Sequence, residues 1–289
     1  MKAACVVSPP STASSDATRN IGRAAVRSLW RELALYPKPG LVSLRDAGAH
    51  DDMDADTFIR SLFALSRYFS DIAAAGAAGA PFRSLCDLGI RAEAAMLAAT
   101  QGANTHRGAI FALGLLSAAL ARTIARGEPP DDAAVRRTLL ANWGADLASV
   151  RPRPGCSSNG VHVARRYGAT GARGEALRAF SSVFDVALPA LRQALARGCD
   201  ARRARISALF ALLAHVEDTN ILHRGGVEGL AFVRRLAREF RDAGDVHVPD
   251  ALARAEAIHR MFVARRLSPG GCADLLSATL LVHDIQTMR

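Results

Sequence analysis

The chain has few aromatic residues, and it lacks the usual cysteine patterns of metal and disulfide sites. Phe, Trp and Tyr make up 6% of its 289 residues, although hydrophobic residues make up 50%. The five cysteines include no Cys-x-x-Cys pair and are odd in number, so they indicate neither a zinc site nor a disulfide framework. These features favour a reducing compartment, and we expect a cytoplasmic protein.

Long uninterrupted apolar runs are also missing. Residues 1–7 contain an apolar run of only five residues, which is shorter than a signal-peptide core, and charged residues interrupt every later run. We therefore expect a soluble protein that makes no membrane contact.

Familiar catalytic signatures are absent as well. The sequence contains no GxxxxGK[ST] loop, no GxGxxG after a strand, no GxSxG elbow and no HExxH helix. Any phosphate binding must therefore use separate loops.

The apolar residues are mostly Ala and Leu, which favour helices. Apolar residues recur at helical spacing over 58–72, 108–126 and 174–196, and no alternating strand pattern appears. The sequence predicts an all-α fold, a single multi-helix bundle with its site built from the inter-helix loops. Residues 1–15, rich in Ser, Pro and Thr, predict a disordered leader before a helical domain over 16–289.

The formal net charge is +10, from 37 Lys plus Arg against 27 Asp plus Glu. The basic residues are scattered along helical stretches without interleaved aromatics, which is typical of a solvated surface rather than of a nucleic-acid face. We expect no nucleic-acid partner, and a basic module that binds nucleic acid or a carrier protein stays an alternative.

Two connections between the early predicted helices carry residues suited to binding or catalysis. The segment 36–42, with two prolines, presents Lys38 on a stiff backbone suited to an anion or to a rigid helix stop. The segment 48–54 holds His50, Asp51, Asp52 and Asp54 just before a helix, more carboxylates than one cap needs. Carboxylates in this pattern suit Mg²⁺ that shares its remaining positions with phosphates.

Three later connections also carry residues suited to binding or catalysis. Residues 100–110 combine glycines with Arg107 at a helix start, where backbone amides suit an anion, and His106 there suits a general base or a phosphate contact. Residues 171–175 place an Arg and a Glu in a tight turn. Residues 217–226, taken together with 267–275 far downstream as the fifth connection, put acidic or amide side chains before helices, where simple capping is the alternative.

In order along the chain, the segments PKPGLV, GAHDDMD, NTHRGAIF, GARGEA, DTNILHRGG and SPGGCADLL resemble motifs of the triphosphoribosyl-dephospho-CoA synthase family. The resemblance extends from about residue 24 to residue 281. Three positions depart from it: Asp51 stands where a basic residue is expected, Arg107 where Lys is common, and Ser181 where Pro is frequent.

The resemblance implies an all-helical transferase that uses ATP and 3'-dephospho-CoA. The 2'-hydroxyl of dephospho-CoA attacks C1 of the ATP ribose and displaces adenine, and the triphosphate stays on the product. That product, 2'-(5''-triphosphoribosyl)-3'-dephospho-CoA, is the prosthetic-group precursor for the acyl carrier protein of malonate decarboxylase or citrate lyase. Hand-off to a prosthetic-group transferase and acyl carrier protein is implied as well.

The resemblance also implies roles for particular residues. Glu175 is the first candidate for the base that activates the hydroxyl, and His106 is the second. Mg²⁺ is expected on Asp52, Asp54 and Asp218. The expected substrate and phosphate contacts are Lys38, His50, Asn104, Thr105, Arg107, Arg173, Asn220, Arg224 and Ser268.

Another enzyme class also fits these residues. A Mg²⁺-dependent hydrolase of a nucleotide or of an ADP-ribose type compound would use the same acidic loops to activate water. Adenine release that requires dephospho-CoA separates transfer from hydrolysis.

Overall fold

A computed structural model of the protein describes residues 12–149 and 159–288. Within these two stretches every regular element is helical and no strand occurs, so the prediction of an all-α fold is confirmed. The helices are α1 (Thr12–Leu33), α2 (Ala55–Leu65), α3 (Tyr68–Ala77), α4 (Phe82–Ala99), α5 (Arg107–Ala125), α6 (Asp132–Ser149), α7 (Asn159–Tyr167), α8 (Gly171–Leu177), α9 (Leu188–Ala196), α10 (Ala201–His215), α11 (Thr219–Asp242), α12 (Ala251–Ala264) and α13 (Gly270–Thr287). A π-helical turn, Ser182–Ala187, leads into α9, and a short 3₁₀ turn, Asp245–His247, follows α11.

Helix α5 forms the centre of the bundle, and it contacts α1, α3 and α13. Its apolar residues are buried on every side, including Leu113, Leu116 and Leu120. The close approach of α3 requires Gly76, because a Cβ there would collide with the backbone of Ala118. Helix α5 is long and apolar enough to cross a membrane, but 72% of that window is buried inside the bundle, as expected of a core helix.

Two predicted continuous helices are broken in the structure. The pattern over 58–72 is divided between α2 and α3, with the Ser66 hydroxyl donating to the Phe63 carbonyl at 2.8 Å where α2 ends. The pattern over 174–196 is divided into α8, the π-helical turn and α9 because Ala179 and Phe180 adopt left-handed φ values. Burial of the Phe180 ring compensates the unfavourable backbone there.

The predicted leader over 1–15 falls mostly outside the described residues. Residues 12–15 form the first turn of α1, and the remainder of the leader is not among the described residues. The boundary at residue 16 stays a prediction.

The ends of several helices determine where the site lies. The first turns of α5, α11 and α13 converge on one side of the bundle, together with the loop between α1 and α2 and the turn that carries α8. Because a helix N-terminus leaves backbone N–H groups unpaired, this convergence creates a region rich in hydrogen-bond donors.

Candidate active site

One large cavity, of about 1760 Å³, occupies this side of the bundle. Small-molecule pockets are typically about 300–1,000 Å³, so this cavity has room for more than one ligand. Of the residues predicted for the site, it is lined by Lys38, His50, Asp52, Asn104, Thr105, His106, Arg107, Arg173, Glu175, Asp218, Asn220, Arg224 and Ser268. Asp54 is the predicted site residue that does not line it.

Asp218 joins two of the converging helices. Its Oδ1 accepts hydrogen bonds from the backbone N–H groups of Asn220, at 2.8 Å, and Ile221, at 3.2 Å, in the first turn of α11. Its Oδ2 accepts from the N–H of Cys272 in α13, at 2.8 Å. Burial raises the pKa of Asp218 against the opposing effect of these three bonds.

A buried ion pair also lines the cavity. The Lys38 ammonium donates to Glu32 Oε1 at 2.6 Å, and both side chains are almost fully buried. Burial lowers the pKa of Lys38 and raises the pKa of Glu32, while each group's charge opposes the shift of its partner. Lys38 is thus already paired with a carboxylate of the protein itself.

Asp274, in the first turns of α13, completes a group of carboxyls that we call the acidic wall: Glu32, Asp218 and Asp274. The Asp274 carboxyl lies directly over Gly108, where any Cβ would collide with it. Burial raises its pKa well above the ordinary value, and the nearby Glu32 and Asp218 raise it further. A hydrogen bond from the Ala109 backbone N–H, in the first turn of α5, acts in the opposite direction.

His106 stands at the start of α5 with its ring buried. Its Nδ1 is 2.7 Å from the hydroxyl of Ser61 in α2, and the ring packs edge-on against Phe58. Burial, with a smaller contribution from Lys38, lowers its pKa to about 3, so the ring is neutral at ordinary pH. Its buried Nε2 has no hydrogen-bond partner among the described residues, and the same holds for the hydroxyl of Thr105.

The outer part of the cavity carries exposed guanidinium groups. We call Arg107, Arg165, Arg178 and Arg224 the arginine rim. Arg107 pairs with Glu93 at 2.7 Å, and its backbone N–H is capped by the side-chain oxygen of Asn104 at 3.2 Å. The rim therefore offers positive charge close to solvent, where a polyphosphate can exchange its hydration for arginine contacts.

The loop after α1 meets the loop before α13 through His50. Its Nε2 is 2.8 Å from the Ser268 hydroxyl, and its Nδ1 is 3.1 Å from the Arg224 guanidinium and 3.3 Å from Asp52. Burial and the charge of Arg224 lower the pKa of His50. The neighbouring Asp51 does not line the cavity and instead pairs with Arg266 at the surface, at 3.1 Å.

Glu175 is buried in α8 and is held by the following turn. Its Oε1 accepts from the Ser182 hydroxyl at 2.9 Å and from Arg178 at 2.8 Å, and its Oε2 accepts from the Ser182 backbone N–H at 3.2 Å. The π-helical turn that begins at Ser182 thus fixes the carboxylate in the cavity wall. Arg173 donates to the carbonyls of Leu147, at 3.0 Å, and Ala148, at 2.7 Å, at the end of α6.

The three predicted Mg²⁺ ligands do not form one ligand set. Asp54 caps α2 by accepting from the backbone N–H of Thr57 at 2.9 Å and from its hydroxyl at 2.7 Å, bonds that lower its pKa. Asp218 is committed to three backbone N–H groups, and Asp52 is exposed and bonded to His50. Over the described stretches no group of three His, Cys, Asp or Glu side chains has the geometry of a metal site. These residues do not fit a resident magnesium ion, because their oxygens are either occupied by caps or lie apart.

Several candidates that line the cavity or contact its lining were missed from the sequence: Glu32, Ser61, Ser182 and Asp274. For Glu32 a signal was available, since it follows Leu29 by three residues and so shares the apolar face of α1. Asp274 lies inside a segment that was singled out, but its contact with Gly108 joins residues far apart in the chain and has no local signature.

Comparison with known proteins gives a consistent result. Residues 18–289 match the family described as "CitG: ATP:dephospho-CoA triphosphoribosyl transferase". A "2-(5''-triphosphoribosyl)-3'-dephosphocoenzyme-A synthase" of Pectobacterium atrosepticum is 40% identical over 279 residues, which is 93% of this chain and 90% of the relative.

Two further relatives, each named "Probable 2-(5''-triphosphoribosyl)-3'-dephosphocoenzyme-A synthase", are similarly close. The protein of Acinetobacter calcoaceticus is 38% identical over 90% of this chain and 88% of its own length. That of Albidiferax ferrireducens is 37% identical over 95% and 93%. No solved structure matches the chain. The chain therefore belongs to the ATP:dephospho-CoA triphosphoribosyl transferase family.

Proposed function

We propose that the protein transfers the 5-triphosphoribosyl group of ATP to the 2'-hydroxyl of 3'-dephospho-CoA and releases adenine. The observation that carries this proposal is the large cavity on which the five predicted connections converge, with carboxyls at its inner side and arginines at its outer side. This division of charge suits a reaction in which a polyphosphate is held but not cleaved, while positive charge develops on a sugar carbon.

The triphosphate binds at the arginine rim. Arg107, at the start of α5, and Arg224, near the start of α11, both line the cavity and are sufficiently exposed to meet an entering anion. Arginine suits this role because its planar fork binds phosphate oxygens in pairs. The Lys38 ammonium is buried against Glu32, so its positive charge acts on the triphosphate only by long-range electrostatic attraction.

Glu175 accepts the proton of the 2'-hydroxyl. Its carboxylate faces the cavity and is fixed by Ser182 and Arg178, so little reorganisation is needed when the hydroxyl approaches. His106, the second candidate, is a weak base because its ring is buried near Lys38. Its unpartnered Nε2 is better suited to binding a polar edge of the substrate, as are the amides of Asn104 and Asn220.

Mg²⁺ enters with ATP as part of the substrate. Among the residues that the structure describes, the acidic side chains do not form a resident site, whereas the oxygens of a triphosphate bind Mg²⁺ that keeps several of its waters. The carboxylate of Asp52 lines the cavity and is exposed, so it is available for an outer contact with such a complex.

Mass spectrometry of the reaction products tests this function. The purified protein is incubated with dephospho-CoA and ATP, with and without Mg²⁺. We expect adenine together with a product whose mass is that of dephospho-CoA plus the triphosphoribosyl group. Adenine released equally well without dephospho-CoA would instead support the hydrolase.

The basic binding module is the other alternative. Binding to DNA that weakens steeply with salt, in a protein that releases no adenine, would favour that class. The arginines of the cavity argue against it, because they line a concave site.

The proposed product is a prosthetic-group precursor, so a protein must accept it. We infer that a prosthetic-group transferase takes it up and attaches it to the acyl carrier protein of malonate decarboxylase or citrate lyase. Cytoplasmic location follows from these partners and from the reduced state expected of the cysteines.

A further inference from the structure

The acidic wall contains three carboxyls that differ in what already binds them. Glu32 holds the Lys38 ammonium, and both oxygens of Asp218 are occupied by backbone N–H groups. Asp274 receives only the N–H of Ala109, and within the described residues no Lys, Arg or His pairs with it. Asp274 is therefore the carboxyl of this wall that remains available to a ligand.

The residues beside Asp274 also point to a bound ligand. His106 lies two residues before Gly108, over which the Asp274 carboxyl sits, and its Nε2 is buried, unpartnered and part of the cavity lining. The hydroxyl of Thr105 is unpartnered in the same way. Buried polar groups without partners are costly, so a ligand with donors and acceptors along one edge fits this position. A purine base has such an edge.

From this geometry we propose that Asp274 is a catalytic acid that gives its proton to the departing adenine, beside the base edge bound by His106. The inference rests on the proposed function. As the bond between C1 of the ribose and N9 of adenine breaks, its electron pair stays on the base, which takes the proton from the Asp274 carboxyl. The 2'-oxygen of dephospho-CoA forms the new bond to C1, and its proton goes to Glu175. Exchange with water then restores both carboxyls, so the net change moves one proton from the hydroxyl to adenine.

The surroundings keep Asp274 in the protonated form that this role requires. Burial and the neighbouring Glu32 and Asp218 disfavour its ionised form, and the N–H of Ala109 opposes them only partly. Lys38 is directed to Glu32, and the ring of His106 is neutral, so neither provides a counter-charge for Asp274. The acid must be protonated to act, so activity is present below the raised pKa and is lost as pH rises through it.

The test compares two leaving groups. Asp274→Asn keeps the size of the side chain but has no proton of suitable acidity. With ATP, we expect its kcat to fall about 100-fold or more, and the loss of activity at high pH to disappear from its profile. With an ATP analogue methylated at N7, whose base departs as a neutral molecule, the same variant is expected to stay within about fivefold of the unsubstituted protein.

The matched control is Asp284→Asn, on the same helix but paired with Arg27 and Arg31 away from the cavity, and it is expected to retain full activity. If Asp274→Asn does not fold, the unsubstituted protein still tests the proposal, since its activity must fall at high pH with ATP but not with the methylated analogue. Equal losses with both substrates, or a fully active Asp274→Asn, would overturn the role of Asp274. Failure of the unsubstituted protein to make the product from ATP and dephospho-CoA would instead overturn the proposed function.

Discussion

The acidic wall and the arginine rim belong to one cavity, but their ionisable groups differ in burial and in the contacts that hold them. The carboxyls of the wall are bound by backbone N–H groups or by a buried ammonium, and their pKa values are raised. The guanidinium groups of the rim are partly exposed, and those of Arg107, Arg178 and Arg224 bind single carboxylates, carbonyls or ring nitrogens. The wall is thus integrated into the fold, whereas the rim can rearrange around a ligand. Substitutions in the wall should affect stability and turnover, and those in the rim should affect substrate affinity.

The largest effect is expected when the buried ion pair is broken. Lys38→Met leaves Glu32 buried without its cation, which costs about 3–5 kcal/mol in the free energy of unfolding. Loss of Lys38 also raises the pKa of Glu32 further, so a proton can neutralise it in the folded protein at low pH. The folded pKa of Glu32, which already exceeds the unfolded one, is then higher still, and stability is lost as pH rises through the folded pKa.

Urea denaturation at about pH 5 and about pH 8 measures this difference. The control is Arg27→Met, also on α1, because Asp284 keeps Arg31 as a partner, and it should cost less than about 1 kcal/mol. A Lys38→Met variant equally stable at both pH values would contradict the buried-charge interpretation.

The second effect concerns the carboxylate that joins α11 and α13. Asp218→Ala leaves three backbone N–H groups without their acceptor, and we expect a loss of about 2–4 kcal/mol. Asp200→Ala is the matched control, since Asp200 caps α10 at an exposed position through the single N–H of Arg203, and it should cost about 1 kcal/mol. Equal losses in the free energy of unfolding of the two variants would mean that the hydrogen bond from the Cys272 N–H to Asp218 contributes nothing to stability.

The third effect separates chemistry from structure at Glu175. Glu175→Gln keeps an oxygen that accepts from the Ser182 hydroxyl but removes the base, so kcat is expected to fall about 100-fold with little change in KM. Steady-state kinetics with both substrates measures the two constants. Retention of most activity would remove Glu175 from the reaction and leave its contact with the π-helical turn as its role.

The smallest effect is expected at the rim. Arg224→Gln loses the donors to His50 and to the Ala49 carbonyl and should raise KM for ATP about tenfold, with a smaller change in kcat. Arg266→Gln is the control, because Arg266 pairs with Asp51 outside the cavity, and its KM should not change. A fall in kcat as large as that of Glu175→Gln would contradict the division between wall and rim.

The fold and the family could be predicted because their signals are local. Ala and Leu at helical spacing indicated an all-α protein, and six ordered segments identified the family; both predictions are confirmed. The same signals did not reveal the breaks after α8, since the left-handed residues there are Ala179 and Phe180, which rarely adopt that conformation. The burial of the Phe180 ring, which compensates this backbone, depends on tertiary contacts that have no local pattern.

The sequence predicted which segments form the site better than it predicted the contacts of individual side chains. The convergence of the segments follows from their positions before helices, but the partner of each carboxylate depends on contacts between distant residues. A cap at Asp54 and a bridge at Asp218 look alike in sequence, since each acidic residue immediately precedes a helix. What distinguishes them is the Cys272 N–H, which only the folded chain brings to Asp218.

The bond from Asp218 to Cys272 has a mechanical consequence. Because one carboxylate anchors the first turns of both α11 and α13, neither turn can shift without pulling on the other. Asn220 and Gly270, which lie in close contact at these two ends, therefore move as a unit. A ligand that displaces the first turn of one of these two helices therefore also displaces the first turn of the other.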